Sequence, residues 1–151
     1  MGGGEFILYK FRTMKKDADT RGFLTVGMRD SRITGIGYYL RKYKLDELPQ
    51  LFNVFIGEMS IVGPRPEVPR YVAKYHQDQL KILSVRPGLT DYASIEYSKE
   101  NEILAKSANP EETYINEIMP AKLKLNEKYI EEMGPITDLK IIFKTIGKIF
   151  S

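Results

Sequence analysis

Apolar residues recur at intervals of three and four positions along much of the chain, which is the spacing of one helix face. The predicted helices lie around residues 36–43, from Pro49 to an end at Gly57, over 69–83, over 111–133 with Pro120 as a kink or boundary, and over 137–150 with Thr137 or Asp138 as N-cap. Asp46 and Glu47 then stand at or just before the start of the second helix.

Short runs rich in β-forming residues predict strands over 6–11, 59–62 and 91–97. The charged segment 15–31 predicts a solvated loop or a broken helix, and the polar segment 98–113 is broken at Asn109 and Pro110. We find no internal repeat and no linker. The pattern predicts one domain over residues 1–151, of the α/β or α+β class, mostly helical with a small β-sheet.

The last predicted helix is amphipathic, with lysines opposite its apolar face and Ile141 out of place between them. The apolar face contains Leu139, Ile142, Phe143, Ile146, Ile149 and Phe150, and the basic row contains Lys140, Lys144 and Lys148. This pattern fits a helix that docks on the protein's own core with a solvated lysine row. It also fits a helix that lies in the interface of an anionic membrane.

Composition excludes several classes of site. The chain has 151 residues and no cysteine, so it holds no disulfide, no thiolate zinc site and no cysteine nucleophile. A single histidine, His76, excludes a multi-histidine metal site within one chain. The 23 basic and 20 acidic residues give a net charge of +3, which makes a nucleic-acid binder improbable although basic and aromatic residues alternate over 38–44.

Two short segments carry candidate chemistry. Adjacent carboxylates at Asp46 and Glu47 fit helix N-terminal charges, but nearby cations also permit a phosphoryl-transfer site. Such a site needs a nucleophile, oxygen ligands for a divalent metal, and guanidinium groups for the phosphate charge. In Gly63–Pro66, two prolines fix the backbone around Arg65, which suits either a plain surface turn or a preorganised phosphate ligand.

Five motifs occur in a fixed order along the chain. They are YKFRTM at 9–14, DSRIT at 30–34, LDELPQLFNV at 45–54, GEMSIVGPRPE at 57–67 and VRPGLT at 85–90. Together they resemble the bacterial sugar transferase family, the monotopic polyprenyl-phosphate phosphoglycosyl transferases, over about residues 6–150.

The resemblance implies a catalytic domain that transfers sugar 1-phosphate from a UDP-sugar to polyprenyl phosphate and releases UMP. It implies that Asp46 is the nucleophile, that a phosphosugar–aspartyl intermediate forms, and that Glu47 is its partner, with both carboxylates placed to hold Mg²⁺. This reaction begins the assembly of capsule, exopolysaccharide, lipopolysaccharide or glycoprotein glycans at the cytoplasmic face of the bacterial inner membrane.

The matched motifs also imply binding residues. The match of Pro64, Arg65 and Pro66 to the family motif implies that Arg65 recognises the nucleotide diphosphate. Four further basic residues lie in the matching motifs and are implied to contact phosphate: Lys10, Arg12, Arg32 and Arg86.

Two departures from the family pattern affect these expectations. Members usually begin with an apolar segment that enters the membrane and returns, and none is found here, so we expect either an excised catalytic region that is soluble by itself or a natural short paralogue. Residues 91–94 read Asp-Tyr-Ala-Ser where many members have Gly-Trp-Ala-Gln, which points to an altered pocket near the sugar. The alternative function is a non-catalytic scaffold that binds nucleotide sugars or a membrane surface.

Overall fold

Helices make up most of the regular structure in the computed structural model, which describes residues 4–16, 18, 24–27 and 30–149. The α-helices are α1 (Gly35–Lys42), α2 (Gln50–Phe55), α3 (Pro69–Val72), α4 (Tyr92–Glu96), α5 (Glu100–Ala105), α6 (Pro110–Thr113), α7 (Met119–Glu132) and α8 (Pro135–Ile149). Two 3₁₀ segments cover Leu45–Glu47 and Gln79–Ser84, and a π-helical turn at Tyr114–Ile118 joins α6 to α7. With one small sheet, this architecture confirms the predicted fold class.

The sheet consists of two parallel strands, β1 (Ser60–Val62) and β2 (Gly88–Thr90), with Ser60 opposite Gly88 and Val62 opposite Thr90. Just beyond the pair, the backbones of Gly63 and Gly88 pass so closely that a Cβ on Gly88 would lie 2.1 Å from the Gly63 nitrogen. Glycine is therefore required where the loop after β1 meets the start of β2.

Two hydrophobic clusters form the core around these elements. The larger cluster joins the helices that follow the sheet and contains Tyr71, Ile82, Leu104, Tyr114, Ile118, Met119 and Leu123. The smaller cluster lies against the sheet and contains Val62, Tyr129 and Ile141.

Capping side chains explain several helix starts that the sequence predicted. Thr34 Oγ1 accepts a hydrogen bond from the Gly37 N–H at 3.0 Å at the start of α1. The helix predicted from Pro49 is α2, and Gly57, with φ +87°, follows its end. The predicted 111–133 helix is interrupted by the π-helical turn that precedes Pro120.

Other predictions were wrong. Residues 6–11 are extended but belong to no strand, because side chains rather than a neighbouring strand hold them. Residues 91–97 contain α4, since Asp91 caps a helix there, and the strand lies at 88–90 instead. The predicted 69–83 helix divides into α3 and the second 3₁₀ segment, whereas α5 was missed within 98–113. The 15–31 prediction falls partly outside the described residues.

The last helix docks through the side that the sequence pattern left unexplained. Ile141 is 0% exposed, whereas Phe143 on the predicted apolar face is 65% exposed. The docked side is also held by a 2.7 Å hydrogen bond between Thr90 and Thr145. Hence α8 packs on the protein's own core and still presents an apolar face to solvent.

Among the described residues, no helix combines the length and the apolar character needed to cross a bilayer.

Candidate active site

The Asp46–Glu47 pair lies in the 3₁₀ segment that immediately precedes α2. Lys44, the residue just before this 3₁₀ segment, has a left-handed backbone with φ 56°. This conformation turns the chain between α1 and the pair. Asp46 is buried, and its carbonyl accepts a hydrogen bond from the Phe11 N–H at 3.0 Å. That bond holds the extended N-terminal segment beside the pair and so places Lys10 near Glu47.

Glu47 forms the centre of a charged cluster with Arg65 and Lys10. The Arg65 guanidinium donates a hydrogen bond to Glu47 Oε1, and Lys10 Nζ lies 3.4 Å from the same oxygen. Burial by itself raises the pKa of Glu47, but the Arg65 charge and hydrogen bond and then Lys10 outweigh it and lower that pKa to about 2. Glu47 is therefore ionised at neutral pH.

The two cations respond differently to this environment. Burial, followed by repulsion from Arg65, lowers the pKa of Lys10 below its usual value despite attraction from Glu47. Burial also acts to lower the pKa of Arg65, but Glu47 more than compensates and raises it. The cluster thus holds a permanently charged guanidinium beside an ammonium that burial makes easier to deprotonate.

Asp91 positions Arg65 and was not singled out from the sequence. It is 0% exposed; its Oδ2 accepts the Arg65 backbone N–H at 3.2 Å, and its Oδ1 accepts the Ser94 N–H at 2.6 Å. The guanidinium of Arg65 also donates to the Leu89 carbonyl at 3.5 Å. The sequence offered one signal for this role. Asp91 is a residue type that favours the N-cap position, and an N-cap side chain accepts the backbone N–H two or three residues later, as Asp91 does from Ser94.

Asn53 is a second residue that sequence reasoning missed. It is 0% exposed on α2 and its amide holds the N-terminal segment: Oδ1 accepts the Tyr9 N–H at 3.2 Å, and Nδ2 donates to the Ile7 carbonyl at 2.7 Å. Nδ2 also donates to Glu58 Oε2 at 2.7 Å. The signal in the sequence was the place of Asn53 within the motif at 45–54, between apolar neighbours on the predicted helix.

The other predicted binding residues lie in different surroundings. Arg32 is buried, and its guanidinium hydrogen-bonds to the Asp30 carboxylate, with a shortest contact of 2.7 Å, and to the Ala18 and Leu24 carbonyls. These contacts give Arg32 a structural role, and its contact with phosphate stays a prediction. Arg12 and Arg86 are exposed and make no side-chain hydrogen bond or ion pair within the described part of the chain.

A cavity of about 260 Å³ adjoins the charged cluster and shares Lys10 and Arg65 with it. Pro66 also lines this cavity, whereas Pro64 is buried in the loop, where its carbonyl accepts the Gly88 N–H at 2.9 Å. Neither Asp46 nor Glu47 lines the cavity.

Asp46 and Glu47 are ligands of the type that Mg²⁺ prefers, although they do not form a complete coordination sphere by themselves. Across the described residues, no group of three or more metal-ligating side chains is assembled. Mg²⁺ is commonly held by one or two carboxylates together with substrate phosphates and water. Asp46 and Glu47 supply that number of carboxylates, and the Asp46 carboxylate has no hydrogen-bond partner among the described residues.

Sequence comparison places the chain in a known family. The family model described as bacterial sugar transferase matches residues 1–151, and the chain belongs to that family. It is 35% identical to an uncharacterized sugar transferase of Bacillus subtilis, EpsL, over 97% of this chain and 64% of that protein.

Two further relatives are named for specific reactions. The UDP-N-acetylgalactosamine-undecaprenyl-phosphate N-acetylgalactosaminephosphotransferase of Aeromonas hydrophila is 32% identical over 99% of this chain and 33% of its own length. The UDP-glucose:undecaprenyl-phosphate glucose-1-phosphate transferase of Escherichia coli is 34% identical over 99% of this chain and 31% of its own length. The chain thus spans less than two thirds of each of these relatives.

Proposed function

We propose that this chain transfers sugar 1-phosphate from a UDP-sugar to a polyprenyl phosphate and releases UMP. The observation that carries the proposal is the charged cluster: the buried Asp46 stands beside Glu47, which Arg65 and Lys10 keep ionised. The names of the related enzymes, which act on UDP-sugars and undecaprenyl phosphate, support the same reaction.

In the first step, a carboxylate oxygen of Asp46 attacks the phosphorus that bears the sugar. A P–O bond forms to Asp46, and the bond to the bridging oxygen breaks, so UMP leaves with that electron pair. In the second step, an oxygen of polyprenyl phosphate attacks the same phosphorus. The aspartyl–phosphorus bond breaks, the Asp46 carboxylate is restored, and a polyprenyl diphosphate sugar forms.

Attack by an anion on a phosphate needs positive charge at the reacting centre. Arg65 is held by its backbone contact with Asp91 and supplies a planar guanidinium suited to phosphate oxygens, while Lys10 adds a second cation. Mg²⁺, which Asp46 and Glu47 would hold, would neutralise further phosphate charge when bound. The Arg65 guanidinium has five N–H donors, so it can bind a phosphate oxygen while it keeps its hydrogen bond to Glu47.

We also place the chain at a membrane surface, the cytoplasmic face of the inner membrane. Large apolar side chains are exposed along one side of α8 and on α2: Leu51, Phe52, Phe55, Ile136, Leu139, Phe143 and Ile146. Such surfaces bind the apolar side of a lipid interface, and lysines of α8 suit anionic headgroups. We expect Phe143→Asp to reduce the fraction of protein that cosediments with anionic vesicles. Equal cosedimentation of the unaltered chain and this variant would contradict the proposed contact of α8 with the membrane.

Intact-protein mass spectrometry tests the nucleophile. The chain is incubated with Mg²⁺ and a panel of UDP-sugars, beside Asp46→Asn and the control Asp78→Asn, which alters an exposed aspartate outside the cluster. We expect an added sugar-phosphate mass and UMP release in the unaltered chain and in the control, and neither in Asp46→Asn.

The same experiment separates catalysis from simple binding. A scaffold would bind UDP-sugars without an adduct or UMP, even with polyprenyl phosphate in vesicles. UMP release that persists in Asp46→Asn would overturn the assignment of the nucleophile. Removal of divalent metal with EDTA is expected to abolish UMP release, and unchanged release would count against Mg²⁺.

A further inference from the structure

The cavity beside the charged cluster extends from Arg65 and Lys10 into the larger core cluster. Its inner wall includes the tyrosines Tyr71 and Tyr114, whose ring centroids lie 4.9 Å apart. Arg65 therefore belongs both to the cluster around Glu47 and to the mouth of an enclosed space with aromatic walls. A group attached to a phosphate at Arg65 has direct access to that space.

The polar lining of the cavity is rich in hydrogen-bond acceptors. Glu67 accepts a hydrogen bond from the Tyr114 hydroxyl, and Glu100 accepts one from Lys122 at 2.9 Å. Carboxylates in such pairs retain acceptor capacity for further donors. A ligand that presents several donors suits this wall better than one that presents mainly carbonyl oxygens.

Asn126 of α7 adds an unsatisfied acceptor to the same wall. The residue is 6% exposed and lines the cavity, and its Oδ1 is buried without a hydrogen-bond partner among the described residues. A buried polar atom without a partner is costly, so such atoms commonly serve a bound ligand or water. The Asn126 amide nitrogen is not buried in this way and reaches the cavity surface, and a sugar hydroxyl, which both donates and accepts, suits either end of the amide.

The size of the cavity limits what it can hold. Its 260 Å³ falls just below the roughly 300–1,000 Å³ of pockets that enclose drug-sized ligands, so it takes one ring rather than an entire nucleotide sugar. In the proposed reaction, the phosphorus attacked by Asp46 carries the sugar directly, whereas the nucleoside is one phosphate further away. The ring nearest to Arg65 and Lys10 is then the sugar.

We propose that this cavity holds the sugar ring of the donor and that Asn126 selects it through a hydrogen bond to a ring hydroxyl. The tyrosines cover the apolar C–H face of the ring, and the acidic residues accept from other hydroxyls. This inference rests on the proposed function and deepens it, because it assigns sugar recognition to residues outside the charged cluster.

Calorimetric titration tests the assignment by comparing ligands with and without the sugar. The ligands are UDP and its glucose, galactose, N-acetylglucosamine and N-acetylgalactosamine derivatives, each titrated in the presence of EDTA, because Mg²⁺ would start the transfer to Asp46 and add the heat of reaction to that of binding. The variants are Asn126→Leu and the matched control Lys124→Leu, on an exposed position of the same helix. Asn101→Ala, at a half-buried lining position, serves as a second variant should melting show that Asn126→Leu is unfolded.

We expect the unaltered chain to bind one UDP-sugar more tightly than UDP. Asn126→Leu should weaken that UDP-sugar about ten-fold and leave UDP unchanged, since one hydrogen bond to a hydroxyl is lost. Asn101→Ala should weaken the same ligand selectively, and Lys124→Leu should change neither.

Three results would overturn the inference: equal weakening of UDP and UDP-sugar, no weakening in either lining variant, or no preference of the unaltered chain for any UDP-sugar over UDP. In each of them, UMP release that depends on Asp46 can persist, so the proposed function would stand. Absence of both binding and UMP release in the unaltered chain would instead refute the proposed function and this inference with it.

Discussion

Replacing Asn53 by leucine tests how the N-terminal segment is held against the site. The side chain of Asn53 makes three hydrogen bonds, to the backbones of Ile7 and Tyr9 and to Glu58. Leucine has a similar shape and fills the same buried space, but it makes none of these bonds. The substitution therefore removes both side-chain attachments of the segment that carries Lys10, leaves in place the backbone bond from Phe11 to the Asp46 carbonyl, and creates no large cavity.

The magnitude follows from the kind of bond that is lost. A neutral hydrogen bond contributes about 1 kcal/mol and one to a carboxylate about 2 kcal/mol. The loss is then about 4 kcal/mol before the released segment regains conformational entropy, and we expect a net decrease in the free energy of unfolding of about 2–3 kcal/mol. Glu58→Gln, which keeps an acceptor for Asn53, should cost about 1 kcal/mol.

Urea denaturation followed by circular dichroism measures these values. Asn116→Leu, at an exposed position, is the matched control and should change the free energy of unfolding by less than about 0.5 kcal/mol. A loss below about 0.5 kcal/mol for Asn53→Leu would show that the three bonds do not anchor the segment. UDP affinity, measured on the folded variant, should fall as well because Lys10 is no longer held near Glu47.

Three further predictions concern the fold. Ile141→Ala should lower the free energy of unfolding by about 2–5 kcal/mol and Phe143→Ala by far less, since only the first side chain is buried; equal urea midpoints would contradict this docking of α8. The hydrogen bonds of an adjacent guanidinium lower the pKa of Asp30 to about 2, so its stabilisation, about 2 kcal/mol, is present above pH 5 and is lost as the pH falls towards 2. Urea midpoints of the unaltered chain and Asp30→Asn should therefore converge between pH 5 and pH 2, and a constant difference would refute the assignment. Gly88→Ala should destabilise by about 1–3 kcal/mol or more, because its Cβ would overlap the opposing backbone; an unchanged melting temperature would show that the strands can separate freely.

Local signals in the sequence predicted α2 well, because Pro49 and Gly57 act within a few residues and their effects can be inferred without knowledge of the fold. The prediction of Thr137 or Asp138 as an N-cap was wrong, since α8 begins earlier, at Pro135. The strand predicted at 6–11 was wrong because a strand needs a neighbouring strand to pair with. Here the backbone of Ile7 and Tyr9 is bonded to the side chain of Asn53 instead. Nothing in the apolar run itself distinguishes these two ways of holding an extended chain.

The site was predictable in part for a similar reason. The motifs named Lys10, Glu47 and Arg65, and the fold brings these three together. Arg12 lies two residues from Lys10 but forms no ion pair among the described residues, and Arg32 is bound to Asp30 in its own loop. Membership of a motif therefore did not determine which cation reaches the carboxylates, because that depends on contacts between distant segments.

Apolar periodicity in α8 predicted a helix correctly but left open whether its apolar face docks on the core or lies against a membrane. The wheel pattern identified the widest apolar face, whereas Ile141 on the other side fills the space against Val62 and Tyr129. A helix that is apolar on more than one side can dock by either, and the shape of the partner decides.

The way α8 closes the smaller cluster sets an order of events during protein synthesis. Val62 precedes the loop that carries Arg65, yet its packing partner Ile141 is translated about eighty residues later. Until that stretch leaves the ribosome, β1 and its loop lack the support on which the arginine depends. The nascent chain therefore carries Arg65 without an assembled site while about eighty further residues are made, and chaperones that bind apolar segments have that interval in which to act.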